Sequence, residues 1–153
     1  YEPHPDISPD GQLLLYTSNE SGRMEVFARA LSGEGGTLQV SAGEGVEPLW
    51  SRDGTKAYYW VADNKGVRTL FRVSVTRTAG SLTFGVPERM FEGAYGEADP
   101  GHGWDVAPDG RFLVNKVGID SSRRAWWDEL LSNRIVVDTG GVARLLADAK
   151  AGP

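Results

Sequence analysis

His4 and His102 are the two histidines of this 153-residue chain, and there is no cysteine. Carboxylates stand close to both in the sequence. Asp6 follows His4, and His102 lies between Asp99 and Asp105, while Glu47 opens the segment EPLWS. Imidazole and carboxylate groups gathered at one place could hold a cation or the ammonium of a basic peptide terminus. Other chemistry is excluded by what is missing. Without thiols there is no disulfide, cysteine nucleophile or cysteine–zinc site. Neither H-E-x-x-H nor a close histidine pair is present, so no metal site is assigned, and no cofactor is expected. The sequence has no G-x-S-x-G elbow, no G-x-x-x-x-G-K-[ST] phosphate loop and no kinase signature, and no catalytic residue is assigned. GEGG at 33–36 and GEGVE at 43–47 do not fit G-x-G-x-x-G and read as turns.

What could position such residues is a phrase that the chain uses three times. SPDGQLLLY begins at Ser8, SRDGTKAYY at Ser51 and APDGRFLV at Ala107. A short segment precedes each Asp-Gly (HPDIS, EPLWS, GWDVA), and β-branched, aromatic or aliphatic residues follow it (LLLYTS, AYYWVA, FLVNKV). This is the pattern of two strands joined by a tight turn. Asp10, Asp53 and Asp109 are turn residues whose side chains can bond the backbone just ahead. Gly11, Gly54 and Gly110 supply the positive φ needed next. A third strand is expected at 25–31 and 69–75, and a fourth at 38–43 and 88–93. In the last unit, NRIVVDT at 133–139 and ARLLAD at 143–148 fill the same places.

The chain is therefore predicted to be all-β: three four-stranded antiparallel units near 1–43, 44–96 and 97–148, within one domain. A four-stranded unit of about 40–50 residues is the size of a β-propeller blade. Twenty glycines and eight prolines suit a chain with many turns. Three blades do not close a ring of ordinary geometry, so a partial propeller is expected, completed by further blades of the same protein or by self-association. The abrupt start at Tyr1 favours a piece of a longer protein.

The phrase [S/A]-x-D-G-[R/Q/T]-x-[L/A/F]-x-[Y/V] resembles the PD40 or TolB-like propeller repeat, a relative of WD40 repeats. SNESGRMEVFARAL, VEPLWSRDG and RMFEGAY resemble in particular the C-terminal propeller region of bacterial serine/threonine kinases and related signalling proteins. The resemblance covers residues 3–117. It implies a periplasmic or extracytoplasmic location and, as what is bound, a protein or peptide partner, a small ligand, or further blades of the same protein. The first strand of each blade would line the central channel, so that His4, Asp6, Glu47, Asp99, His102 and Asp105 form a ligand-binding mouth. A solvated polar rim is the simpler reading of the same residues.

The third unit departs from the pattern. In GIDSSRRAWWDELLSN at 118–133, Trp126, Trp127, Leu130 and Leu131 make a helical stripe, with Asp120, Ser121 or Ser122 as cap. A short helix packed over the blade is expected. Trp50, Trp60 and Trp104 read as core between blades. The formal charge of −5 and scattered basic residues give no nucleic-acid footprint. No apolar run is long enough to insert in a membrane. The leading expectation is a non-catalytic interaction or sensor module. The alternatives are the propeller part of a peptidase or hydrolase whose catalytic domain lies outside this chain, and a self-associating structural module.

Overall fold

Each Asp-Gly phrase folds as the turn of an antiparallel hairpin. The computed structural model describes residues 4–78, 81–96, 103–116, 134–138 and 143–145, and all the elements within them are strands. They fall into two compact units divided between Glu92 and Gly93.

The first unit contains two sheets. In the first blade, β1 (Asp6–Ile7), β2 (Leu13–Ser18), β3 (Glu25–Ala30) and β4 (Leu38–Gln39) pair in sequence order. The alternation of LLLYTS buries Leu13, Leu15 and Thr17 and leaves Leu14, Tyr16 and Ser18 half-buried. β4 ends sooner than the expected 38–43. Val40 N–H and Ser41 N–H both turn to the Val26 carbonyl, and Ser41 Oγ accepts the Val26 N–H at 3.0 Å. A side chain thus replaces the ladder where the fourth strand would have continued.

The second blade contains β5 (Val46–Trp50), β6 (Lys56–Ala62), β7 (Arg68–Thr78), β8 (Ser81–Phe84) and β9 (Glu88–Gly93). Two strands share the fourth position. β7 is longer than the predicted 69–75, and its C-terminal part forms a hairpin with β8, which sequence reading did not anticipate. β9, predicted at 88–93, also pairs with β7.

The core of this unit is the seam between its two blades. Leu13, Leu15, Val26, Ala28 and Val40 pack with Trp50, Ala57, Tyr59 and Val73. Each large side chain there contributes about 1.5–3 kcal/mol by leaving water. The chain crosses the seam at Gly45, where a Cβ would lie 2.9 Å from the Tyr59 ring and 3.1 Å from Val26 Cγ2. Only glycine allows so close an approach.

In the second unit, β10 (Trp104–Val106), β11 (Phe112–Lys116), β12 (Arg134–Asp138) and β13 (Ala143–Leu145) again pair in sequence order. Trp104, Val106, Phe112 and Val114 are buried. The insertion expected to carry a helix, with Trp126, Trp127, Leu130 and Leu131, lies outside the described residues.

Candidate functional site

In the first unit the candidate residues sit on or just before the first strand of each blade. Asp6 of β1 reaches across the seam, and its Oδ2 accepts the Trp50 N–H of β5 at 2.7 Å. One carboxylate thereby joins the first strands of two blades. His4 is half-buried ahead of β1.

Glu47 points inward. β5 shifts register on β6 between Val46 and Leu49, so Glu47 and Pro48 bulge opposite Tyr59. Pro48 has no N–H to give the ladder, which suits a bulge. Glu47 takes φ 49°, the one positive value among the described non-glycine residues. The bulge aims its carboxylate at Arg68, with Arg68 Nη2 donating to Glu47 Oε1 at 2.7 Å. The Arg68 guanidinium also lies 5.2 Å from the centre of the Trp60 ring. Both ion-pair side chains are buried. Arg68 was not singled out in the sequence, where it reads as one more polar residue opening a strand.

Of the second-unit candidates, Asp105 is exposed and its Oδ1 accepts the N–H of its neighbour Val106 at 2.7 Å. Asp99 and His102 lie outside the described residues. No group of three or more potential metal ligands occurs among the described residues.

The three turns are built as their sequences suggest, with one difference. In the first, Gly11 has φ 71°, and Ser8 Oγ donates to Asp10 Oδ1 at 2.6 Å while accepting the Leu13 N–H at 2.9 Å. The second repeats this. Gly54 has φ 68°, and Ser51 Oγ donates to Asp53 Oδ1 at 2.6 Å and accepts the Lys56 N–H at 2.9 Å. The third has Ala107 in place of serine, and its loop is one residue shorter: Ala107 N–H bonds Arg111 O, whereas Ser8 N–H bonds Leu13 O. Arg111 supplies the missing donor, with Nε at 2.7 Å from Asp109 Oδ2, and Gly110 has φ 82°.

These bonds hold all three carboxyls below the usual carboxylate range. For Asp10 the Ser8 hydroxyl is the main cause, followed by the Gln12 N–H and Arg77. For Asp53 it is the Ser51 hydroxyl, then the N–H and hydroxyl of Thr55. For Asp109 it is the N–H and then the side chain of Arg111.

The first two turns flank a cleft of about 640 Å³ lined by Pro9, Asp10, Asp53, Thr55, Val75 and Arg77. Arg77, also missed in the sequence, pairs with Asp10 and lies 5.6 Å from the centre of the Trp50 ring. It joins the end of β7 to the first turn.

Antiparallel meanders of this size, joined face to face with their first strands adjacent, define a β-propeller architecture. Two solved structures are similar to the chain. TolB from Acinetobacter baumannii matches with TM-score 0.61 and 18% identity over 95% of this chain and 32% of its own. A putative TolB from Agrobacterium tumefaciens matches with TM-score 0.60 and 20% identity over 95% of this chain and 49% of its own. The chain thus has a TolB-like propeller fold and spans about a third of the first structure and about half of the second. No family model matches it, and no curated protein matches it in sequence.

Proposed function

We propose that the chain is a non-catalytic propeller module that binds a protein or peptide partner outside the cytoplasm. The observation that carries this reading is the commitment of its first-strand carboxylates. Asp6 is bonded to Trp50 N–H and Glu47 to Arg68. Groups so engaged hold the strands in place and are poorly placed to move protons. The TolB-like fold supports the same reading, as does the absence of hydrolase, phosphate-loop and kinase motifs from the sequence. No helix among the described residues is long and apolar enough to cross a membrane. The extracytoplasmic location rests on resemblance to TolB-like repeats.

Ligand binding at first-strand residues is part of the proposal, with His4 and Asp6 as candidates on the first blade and Asp105 on the third. Glu47 is not among them, because its carboxylate is turned inward onto Arg68. The exposed carboxylate of Asp105 would meet a basic peptide terminus. The test is calorimetric titration with a lysine-bearing peptide carrying a free amino terminus, beside its acetylated form. Saturable binding of the free form, weakened by Asp105→Ala, is expected. Turnover of a peptide or ester substrate that disappears with His4→Ala or His102→Ala would overturn the reading.

A further inference from the structure

Strand β7 outruns its neighbour β6. Lys56, the first residue of β6, is paired with Ser74, and the Val75 N–H still bonds Thr55 O at 2.9 Å. The hairpin with β8 then carries β7 on to Thr78. Its ladder fixes where the main-chain groups point. Gly85 N–H bonds Ser74 O on the β8 side, so Thr76 and Thr78 also bond toward β8, while Val75 and Arg77 turn their N–H and C=O groups to the β6 side. For Val75 that side still holds Thr55. For Arg77 it holds the cleft of about 640 Å³.

The cleft opens where the second Asp-Gly turn leaves the line of β6. A Cβ at Gly54 would stand 3.6 Å from Pro9 Cδ, so the first two turns touch and together form one wall, with the end of β7 as the other. Its volume is that of a ligand cleft. Proteins usually blunt an open strand edge with a lysine, a proline or a bulge. Here Thr76 and Thr78 are uncharged, and the Arg77 guanidinium is drawn off to Asp10 and the Trp50 ring.

The charges of the cleft are unequal in their engagement. Asp10 is neutralised by Arg77. Asp53 takes its hydrogen bonds from Ser51 and Thr55, all on Oδ1. Those bonds keep its carboxyl below the usual carboxylate range, so it is ionised at neutral pH. Lys56 acts on it only at a distance, with its Nζ donating to Thr55 Oγ1 at 3.4 Å. Among the described residues no hydrogen bond uses Asp53 Oδ2.

We propose that this cleft binds an extended peptide segment through its main chain, with a lysine or arginine side chain of the segment on Asp53. The segment adds as a short strand on the Arg77 edge, in the line that β6 vacates. The open N–H and C=O select a peptide, and the carboxylate selects a cation on it. The site lies at the turns and does not rest on His4, Asp6 or Asp105.

The probe is a pentapeptide with a central lysine, valine and threonine on each side, and both ends blocked, so that a site for a free amino terminus is not engaged. It is titrated into the 153-residue chain and followed by amide magnetic resonance. Saturable shifts are expected at Thr55 and Arg77. At saturation, exchange of the Arg77 N–H should slow by about tenfold, while that of Thr76, already bonded toward β8, stays as it was. Norleucine in place of the lysine should weaken binding by about fivefold. Asp53→Asn, which keeps an Oδ1 acceptor for the turn but not the charge, should do the same. The fully N-methylated peptide should not bind. The proposal is overturned if the lysine and norleucine peptides bind alike, if the shifts gather at Asp105 and leave Arg77 unchanged, or if no saturable shift occurs. It is equally overturned if the Arg77 N–H is already protected in the free chain, because a second copy or another part of the chain would then hold the edge.

Discussion

Glu47 and Arg68 form an ion pair at 2.7 Å with side chains only 2% and 4% exposed, and Glu47 holds a left-handed backbone conformation to make it. Two costs meet here. Desolvating both charges is expensive, and a non-glycine residue at positive φ adds about 1–2 kcal/mol. Such a pair is weak evidence for stability in itself, but removing one member strands the other charge.

Arg68→Met and Glu47→Gln are therefore each expected to cost about 3–5 kcal/mol, and the double variant clearly less than their sum. Against a total of about 5–15 kcal/mol for a domain, each single change is severe. Urea unfolding followed by tryptophan fluorescence measures this, because Arg68 lies against the Trp60 ring. Additive losses would show that the two side chains are not coupled.

Asp6 is the carboxylate that ties the first two blades together by accepting the main-chain N–H of Trp50. Asp6→Ala is expected to cost about 1.5–3 kcal/mol, the range for a hydrogen bond to a charged group. Amide exchange at Trp50 should rise more than exchange at Tyr59, which sits deep in the same seam. An unchanged Trp50 rate would mean that the bond adds nothing to the seam.

The blades were legible in the sequence because turn chemistry and alternation are local. Asp10-Gly11, Asp53-Gly54 and Asp109-Gly110 each specify a hairpin, and LLLYTS and its counterparts specify which side faces in. The extra β8 strand was not legible, because SLTF at 81–84 lies outside the repeat and becomes a strand only through pairing with the extended β7. The roles of Glu47 and Arg68 were hidden for a related reason. Their meeting depends on a bulge at Pro48 and on pairing across 21 positions of sequence. Sequence reading placed Glu47 on a solvated mouth because first-strand polar residues usually face water. The buried arginine that turns it inward carries no local signal.

Acid should weaken the protein through its turns. Asp10, Asp53 and Asp109 have folded-state pKa values lowered by their hydrogen bonds. Their stabilisation is fully present above the unfolded carboxylate value of about 3.9 and is lost as pH falls through the lower folded values. Because all three are exposed to solvent, the effect of each is reduced by screening. Urea midpoints are expected to be insensitive to these groups above about pH 5 and to decline below about pH 4. Ser51→Ala should flatten that decline more than Lys56→Ala, since the Ser51 hydroxyl is the main cause of the Asp53 shift and Lys56 the least. An equal effect of the two would contradict the assignment.

The third turn separates what sets register from what decorates it. Its loop is one residue shorter than the other two, and it has Ala107 where they have serine. If the serine hydroxyl dictated the longer loop, Ala107→Ser would move β11 by one residue against β10. Such a slip would turn Phe112 and Val114, 2% and 1% exposed, toward the side of Leu113, which is 43% exposed. Losing that burial costs about 3–6 kcal/mol for the two side chains. A hydroxyl hydrogen bond contributes about 1 kcal/mol. Burial therefore wins, and Ala107→Ser is expected to keep Asp105 opposite Leu113, with stability changing by no more than about 1 kcal/mol. Cross-strand nuclear Overhauser contacts between Asp105 and Leu113 measure this directly. Their replacement by contacts between Asp105 and Val114 would show that the turn residue, not the apolar face, sets the pairing.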